Sequence, residues 1–285
     1  MKLSIITINR NNAEGLRKTM ESVLSQTYRD FEYIIVDGAS TDESVEVIQG
    51  LAPEKDLDVD GIQVHWLSEP DSGIYNAMNK GVRLSTGEYS LMLNSGDLLM
   101  DGHVIEKVMP ELDGTDIVQG NIIVRKNGKF IVNRGYGKSD LTFFDVCGGH
   151  FLHQASFIHR SVFEMLSGYD ETYRMIADTK MYIQALGFHN CTFKYVNINV
   201  ADFDLGGVTF TQRALGEKER ARLEQDLFSE RLLSLSKDGE KKVRLYDLLH
   251  SSRFLWNGTM LLLHVYKFFH RDACNGSPKL LLHDK

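Results

Sequence analysis

Leu3-Ser4-Ile5-Ile6-Thr7-Ile8, then Asn9-Arg10-Asn11-Asn12, then Leu16, Met20, Val23 and Leu24: this opening stretch decides the fold. An apolar, β-branched run, a polar turn and an apolar series at i, i+4, i+7 and i+8 predict strand, turn and helix in that order. Phe31 to Val36 reads as a second strand. In the segment Asp37-Gly38-Ala39-Ser40-Thr41-Asp42-Glu43 that follows it, Ser40 and Glu43 have the spacing of a capping box, which predicts a helix through Ile48. The β-α-β-α alternation implies a parallel sheet with right-handed crossovers. Ile62 to Leu67 reads as a third strand, Gly73 to Leu84 as a third helix, and Glu88 to Leu93 as a fourth strand running into Asn94-Ser95-Gly96-Asp97.

Beyond that point the pattern changes. Asp116 to Val124 and Lys129 to Asn133 read as two strands joined by Lys126-Asn127-Gly128, an Asn-Gly hairpin turn. Ser161 to Leu166 and Asp178 to Leu186 read as helices, Thr192 to Ile198 as a strand, and Thr211 to Lys242 as charged and helical. The expectation is an α/β protein with a mostly parallel sheet flanked by helices, mixed in its second half, and a helical C-terminal extension.

The chain has 285 residues, 42% of them hydrophobic and 25% charged, which is ordinary globular usage and excludes disordered and fibrous classes. Its 32 basic and 39 acidic residues give a formal charge of −7, against the basic footprint of a nucleic-acid binder. Cys147, Cys191 and Cys274 are odd in number and lack metal-ligand spacing, so no disulfide framework is expected. The N-terminal apolar run is too short for a signal peptide, and no apolar stretch reaches the roughly 18 residues of a spanning helix. The expected location is cytoplasmic.

In an open α/β sheet, ligands collect outside the carboxyl ends of the strands. Thr7, Asn9, Asp37, Asp71 and Asp97 all fall there, on one polar edge. An Asp such as Asp37, placed directly after an apolar strand, can accept hydrogen bonds from a base N–H or a ribose hydroxyl. The plain alternative is a helix cap, and Ser40 already fits that task. The carboxylate of Asn94-Ser95-Gly96-Asp97 can ligate a hard divalent cation that bridges two phosphates, or the tetrapeptide is a bare turn.

Five ordered motifs carry a resemblance. They are Ser4-Ile5-Ile6-Thr7-Ile8-Asn9-Arg10-Asn11, Gln26-Thr27-Tyr28, Val36-Asp37-Gly38-Ala39-Ser40-Thr41-Asp42, Gly73-Ile74-Tyr75-Asn76-Ala77-Met78-Asn79-Lys80-Gly81, and Gly87-Glu88-Tyr89 with Leu93-Asn94-Ser95-Gly96-Asp97. Together they resemble the family 2 inverting glycosyltransferases of bacterial polysaccharide biosynthesis, with their type-A, Rossmann-like fold, over about residues 1–205. The resemblance implies that Thr7, Asn9 and Asp37 hold the base and ribose of a nucleoside diphosphate sugar, first of all a UDP-sugar, and that Asp71 lies near the base. It places Asn79 in the family's Asn-x-Gly segment. Ser95 and Asp97 fall in its metal motif, for Mn²⁺ or Mg²⁺, where Asn94 and Gly96 leave Asp97 as the only carboxylate. Asp178 matches the general base, with Ala177 in place of the usual Glu. The same residue also suits the first turn of a helix, where a negative charge favours the dipole. The segment around His153 and Gln154 lies beside the donor in similar enzymes, and His153 is open to three roles: metal ligand, diphosphate contact, or loop support. His150, Asp145, Asp170 and Glu171 stand second.

The resemblance thus implies transfer of a sugar, with inversion, to a hydroxyl of a glycan or lipid-linked acceptor in surface polysaccharide biosynthesis. Residues 1–210 would form the transferase domain, with a nucleotide-binding half over 1–100 and an acceptor half over 101–210. Residues 211–285 would form the extension. Its stretch Phe254 to Phe269 is apolar and aromatic, with His264, Lys267, His270 and Arg271 within or beside it. Such a helix docks on its own core, on a second copy of the chain, or on the inner face of the plasma membrane as a peripheral anchor. A nucleotidyltransferase and a non-catalytic nucleotide-binding scaffold are the competing readings.

Overall fold

The computed structural model describes residues 2–126, 129–203 and 213–229. The expected hairpin turn at 127 and 128 and the apolar stretch 254–269 lie outside the described residues. The opening motif forms β1 (Leu3–Asn9) and α1 (Ala13–Leu24), followed by β2 (Glu32–Asp37) and α2 (Ser44–Leu51). Next come β3 (Asp56–Val59), β4 (Ile62–Ser68), α3 (Ile74–Leu84), β5 (Tyr89–Met92), the short β6 (Leu98–Leu99) and α4 (Val104–Val108). The second half contributes β7 (Ile117–Lys126), β8 (Lys129–Asn133), α5 (Phe143–Gly148), β9 (Ser156–His159) and α6 (Arg160–Leu166). It ends with α7 (Ala177–Tyr182), β10 (Phe193–Phe203) and α8 (Arg213–Leu227).

The strands build one sheet in the order β3-β4-β2-β1-β5-β9-β7-β10-β6, with β8 paired to β7. Strands β4, β2, β1 and β5 are parallel neighbours, as the alternation requires. Insertion of β9 between β5 and β7, antiparallel to both, makes the second half mixed and leaves β7 running in the direction of β5. Sequence periodicity misses β9 because a four-residue strand has no room to show a period. It misses β3 for another reason: Asp56 and Asp58 interrupt the apolar pattern of this edge strand, which the turn at Asp60 and Gly61, both at positive φ, folds onto β4.

Every residue of β1 and β2 is buried, the mark of central strands covered on both faces. Leu3, Ile5, Tyr33 and Ile35 share a core with Leu16, Met20 and Val23 of α1. On the opposite face α3 lies so close to the sheet that a Cβ on Gly81 would stand 2.3 Å from Ile6 Cγ2. The expected capping box does not form. Helix α2 starts at Ser44, Glu43 makes no side-chain cap bond, and Asp42 Oδ1 accepts from the Ser44 backbone N–H at 3.1 Å. Ser40 is turned instead toward Asp37. The expected helix from Asp178 to Leu186 forms as α7 and relaxes after Tyr182 into a π-helical turn, Ile183–Phe188. Helix α8 lies beyond the boundary drawn at residue 210, yet it belongs to the compact unit that closes at Phe228.

A buried carboxylate locks the base of the sheet. Glu32 Oε1 accepts from Ser4 Oγ at 2.6 Å and from the Gly87 backbone N–H at 3.0 Å, while Oε2 accepts from Thr86 Oγ1 at 3.0 Å, which joins β1, β2 and the turn before β5. Burial pushes its pKa up, but the donors from Ser4, Thr86 and Gly87 outweigh burial and hold it below the ordinary glutamate value. A lowered folded-state pKa contributes stability that is present above the unfolded value, about 4.3, and is lost as pH falls through the folded one. Glu32→Gln keeps the shape but turns an amide donor toward donors. Urea unfolding across a pH series is expected to show a loss of about 2 kcal/mol at neutral pH, with a shallower acid-side decline than in the parent protein.

Candidate active site

At the carboxyl edge, the parallel strands are tied together by one side chain. Asp37 Oδ1 accepts from Asn9 Nδ2 at 2.9 Å and from Ser40 Oγ, and its Oδ2 accepts from the Ser40 N–H at 2.9 Å and from Ser68 Oγ at 2.7 Å. Burial would raise the pKa of Asp37, but these donors bring it below the usual aspartate value, so it stays charged. Asn9 Oδ1 is buried without a hydrogen-bond partner among the described residues. Asp71 sits beside this group. It accepts from the Gly73 N–H at 3.0 Å, and Arg10 Nη1 lies 3.6 Å from its Oδ1. Gly38 makes the close approach possible: a Cβ there would stand 2.1 Å from Asp71 Oδ2.

Thr7 does a different job from its neighbours. Fully buried, it donates to the Leu93 carbonyl at 2.8 Å and accepts from Tyr33 Oη at 3.0 Å, so both sides of its hydroxyl serve the sheet. The segment after β5 folds against the start of α1. Ser95 N–H bonds to the Ile8 carbonyl, the Ser95 carbonyl and hydroxyl both accept from Asn12 Nδ2, and Thr19 Oγ1 donates to the Asp97 carbonyl at 2.8 Å. Asp97 is buried, and Asn94 Oδ1 is buried with no partner. Among the described residues no group of three His, Cys, Asp or Glu side chains could cage a metal. A single carboxylate in this segment suits a hard cation completed by substrate phosphates and water rather than one caged by protein alone.

Facing this edge, the segment 169–178 is clamped from two sides. From α3, Tyr75 Oη donates to Asp178 Oδ1 at 2.9 Å, Asn76 Nδ2 to Glu171 Oε2 at 2.8 Å, and Asn79 Nδ2 to the Tyr169 carbonyl and to Glu171 Oε1, both at 2.9 Å. Asn79 Oδ1 also accepts from the Tyr169 N–H. Asn79 is therefore joined to this segment and not to the Asn9, Asp37 and Asp71 group. From α8, Glu219 accepts the Arg174 and Met175 N–H groups at 2.7 and 2.8 Å, Asp226 accepts from Tyr173 Oη, and the Arg222 guanidinium lies 4.3 Å over the Tyr173 ring. Asp178 occupies the first turn of α7. His153 lies in a single 3₁₀ turn, His153–Ala155, with both ring nitrogens buried and unpartnered; burial lowers its pKa, against the opposing charge of Asp178, and holds the ring neutral. Of the second-line residues, Asp145 completes a capping box with Thr142 at the start of α5 and takes Lys138 as ion partner, and Asp170 pairs with Lys180 at 2.6 Å. His150 N–H donates to Tyr136 Oη. Ser40, Ser68, Tyr75 and Glu219, which the sequence reading did not assign to the site, are parts of its framework. Tyr75 lay within a quoted motif; nothing local marks Glu219.

The polar edge of Asn9, Asp37 and Asp71 and the clamped Asp178 are linked through α3. The chain belongs to glycosyl transferase family 2, whose family model matches residues 4–166. It is 31% identical over 217 residues to a PGL/p-HBAD biosynthesis glycosyltransferase of Mycobacterium bovis, covering 73% of this chain and 79% of that one. An uncharacterized glycosyltransferase of Mycobacterium tuberculosis is 30% identical over 209 residues, covering 72% and 76%. Among solved structures, S. aureus TarS 1-349 in complex with UDP-GlcNAc superposes with a TM-score of 0.60 at 15% identity, over 74% of this chain and 61% of that one. The mannosyltransferase PcManGT from Pyrobaculum calidifontis, in complex with GDP-Man and Mn²⁺, gives a TM-score of 0.56 at 13% identity, over 97% and 88%. This chain thus spans about three fifths of the TarS chain it matches. The structural likenesses show the shared type-A glycosyltransferase fold. Family membership makes the protein a glycosyltransferase and sets aside the nucleotidyltransferase and scaffold readings.

Gly38→Ala tests the edge without removing a charged group. The added methyl meets Asp71, so the loop before α3 must shift. Affinity for a nucleoside diphosphate, followed by calorimetry, is expected to fall by about tenfold while the melting temperature moves by only a few degrees, since a methyl forced into a tight site costs about 1–3 kcal/mol.

Proposed function

We propose that the protein transfers a sugar, with inversion, from a nucleoside diphosphate sugar, first of all a UDP-sugar, to a hydroxyl of a glycan or lipid-linked acceptor in surface glycoconjugate biosynthesis. The observation that carries the reading is the place of Asp178: a carboxylate at the start of α7, bonded to the donor-side helix α3 through Tyr75. The relative named for PGL/p-HBAD biosynthesis supports a glycoconjugate acceptor. Residues 1–100 form the donor half in this reading, with Asn9, Asp37 and Asp71 around the base and ribose and with Thr7 holding the strands behind them. Residues 101–210 form the acceptor half, and α8 steadies it.

Asp178 acts as the general base. Its carboxylate takes the proton of the acceptor hydroxyl while that oxygen bonds to the anomeric carbon. The bond from that carbon to the diphosphate oxygen breaks on the opposite face, and the nucleoside diphosphate leaves with the electron pair. Asp97, with Ser95 of the same motif, would hold a Mn²⁺ or Mg²⁺ ion, which when bound offsets the charge on the departing diphosphate. In this reading His153, neutral and buried close to Asp178, donates a ring N–H to the diphosphate. Among the described residues no helix is long and apolar enough to cross a membrane. In this reading the protein works in the cytoplasm, and the aromatic and basic stretch from Phe254 to Arg271 brings it to the inner membrane face where a lipid-linked acceptor is presented.

Two substitutions test the assignment. Asp178→Asn is expected to leave UDP-GlcNAc or GDP-Man binding unchanged and to lower nucleotide release at least roughly 10²-fold, the usual loss with a general base. Asp97→Ala in the presence of Mn²⁺ is expected to bind UDP as weakly as the parent protein does in chelator; chelator without effect on the parent would remove the metal role.

A further inference from the structure

The hydroxyl of Tyr75 lies 2.9 Å from Asp178 Oδ1 and donates to it, and among the described residues this is the hydrogen bond that the carboxylate makes. Tyr75 stands in the first turn of α3 and is 4% exposed, with its ring 5.6 Å from that of Tyr169. Burial first, and then the charge of Asp178, push the Tyr75 phenol well above its ordinary range, so it remains a proton donor wherever the enzyme works. The other titratable groups facing Asp178 give it no hydrogen bond: His153 from the 3₁₀ turn, Tyr169 from the clamped segment, and Tyr182 from its own helix. Lys180, the nearby cation on that helix, is paired with Asp170.

We propose that Tyr75 is the positioning residue of the base: it holds Oδ1 of Asp178 and so leaves Oδ2 for the proton of the acceptor hydroxyl. This rests on the reading of Asp178 as the base. The helix that carries Tyr75 begins where the Gly73 N–H meets Asp71 Oδ1, so the same helix is anchored at the nucleotide edge and touches the base. The acceptor side contributes the carboxylate, and the donor side aims it. A donated hydrogen bond favours the ionised carboxylate, so its removal makes the group easier to protonate.

The test uses the full-length protein with ¹³C-labelled aspartate carboxyls, the Asp178 resonance being assigned by its loss in Asp178→Asn. Tyr75→Phe keeps the ring and its packing. Its Asp178 titration midpoint is expected to rise by about one pH unit, a tenfold change in proton affinity. Tyr75→3-fluorotyrosine, a stronger donor of the same shape, is expected to move the midpoint downward, and it answers the question even if the Phe variant folds poorly. Nucleotide release from UDP-GlcNAc and GDP-Man, with water as acceptor, gives the kinetic arm. There Tyr75→Phe is expected to lower kcat about tenfold at unchanged KM, and to cost nothing further when added to Asp178→Asn. An unchanged midpoint in both Tyr75 variants, or additive losses in the double variant, would overturn the proposal. Normal turnover by Asp178→Asn would instead remove the base reading, with the titration still deciding whether Tyr75 governs the carboxylate.

Discussion

The carboxylate of Asp37 is the point on which the carboxyl edge of the parallel strands hangs. Parallel strands end with carbonyls and side chains that have no further strand to bond, and here the ends of β1, β2 and β4 are joined through one buried anion. Asn9, Ser68 and the Ser40 loop all donate to it. Four donors on one carboxylate compensate its desolvation and leave it charged at any working pH, so the edge is rigid before a ligand arrives. The unsatisfied oxygens of Asn9 and Asn94 lie on the same rim. Glu32 does a comparable job at the opposite end of the strands. The central sheet is therefore pinned at both ends by acids and packed between them by aliphatic side chains.

In the second half of the molecule one segment takes its anchoring from other elements. Segment 169–178 crosses between elements without secondary structure of its own until α7 begins, and its backbone groups find partners on α3 and α8. The clamp fixes Asp178, which is placed by contacts with residues far away in sequence. It also explains why α8, outside the span matched by the family model, belongs with the transferase unit: Glu219 supplies the carboxylate that two N–H groups of the segment need.

Much of this was legible from local pattern. Alternating apolar runs and helical periods locate β1, α1, β2, α3 and β5, and the Asp after β2 announces a polar group at a strand end. Local reading failed where two explanations share one pattern. Ser40 and Glu43 have the spacing of a capping box, but the stronger demand came from the buried charge of Asp37, which drew Ser40 away and left Asp42 to meet the N–H of Ser44. Thr7 has the position of a ligand contact, but its hydroxyl is consumed by Leu93 and Tyr33, which only the closed sheet brings beside it. Asn79 lies in a motif of α3 and bonds across to Tyr169.

The sequence by itself determined the strand and helix order, the parallel direction of the first strands and the chemistry available at their ends, because each depends on residues near one another along the chain. The tertiary structure alone decided which polar groups are consumed by the scaffold and which remain for a ligand. It also alone decided how the Asp178 carboxylate is held. Bonds such as Tyr75 to Asp178 and Glu219 to Arg174 link positions far apart in the chain, and no local period encodes them. They form when burial removes water and leaves each polar group to find its partner inside the protein.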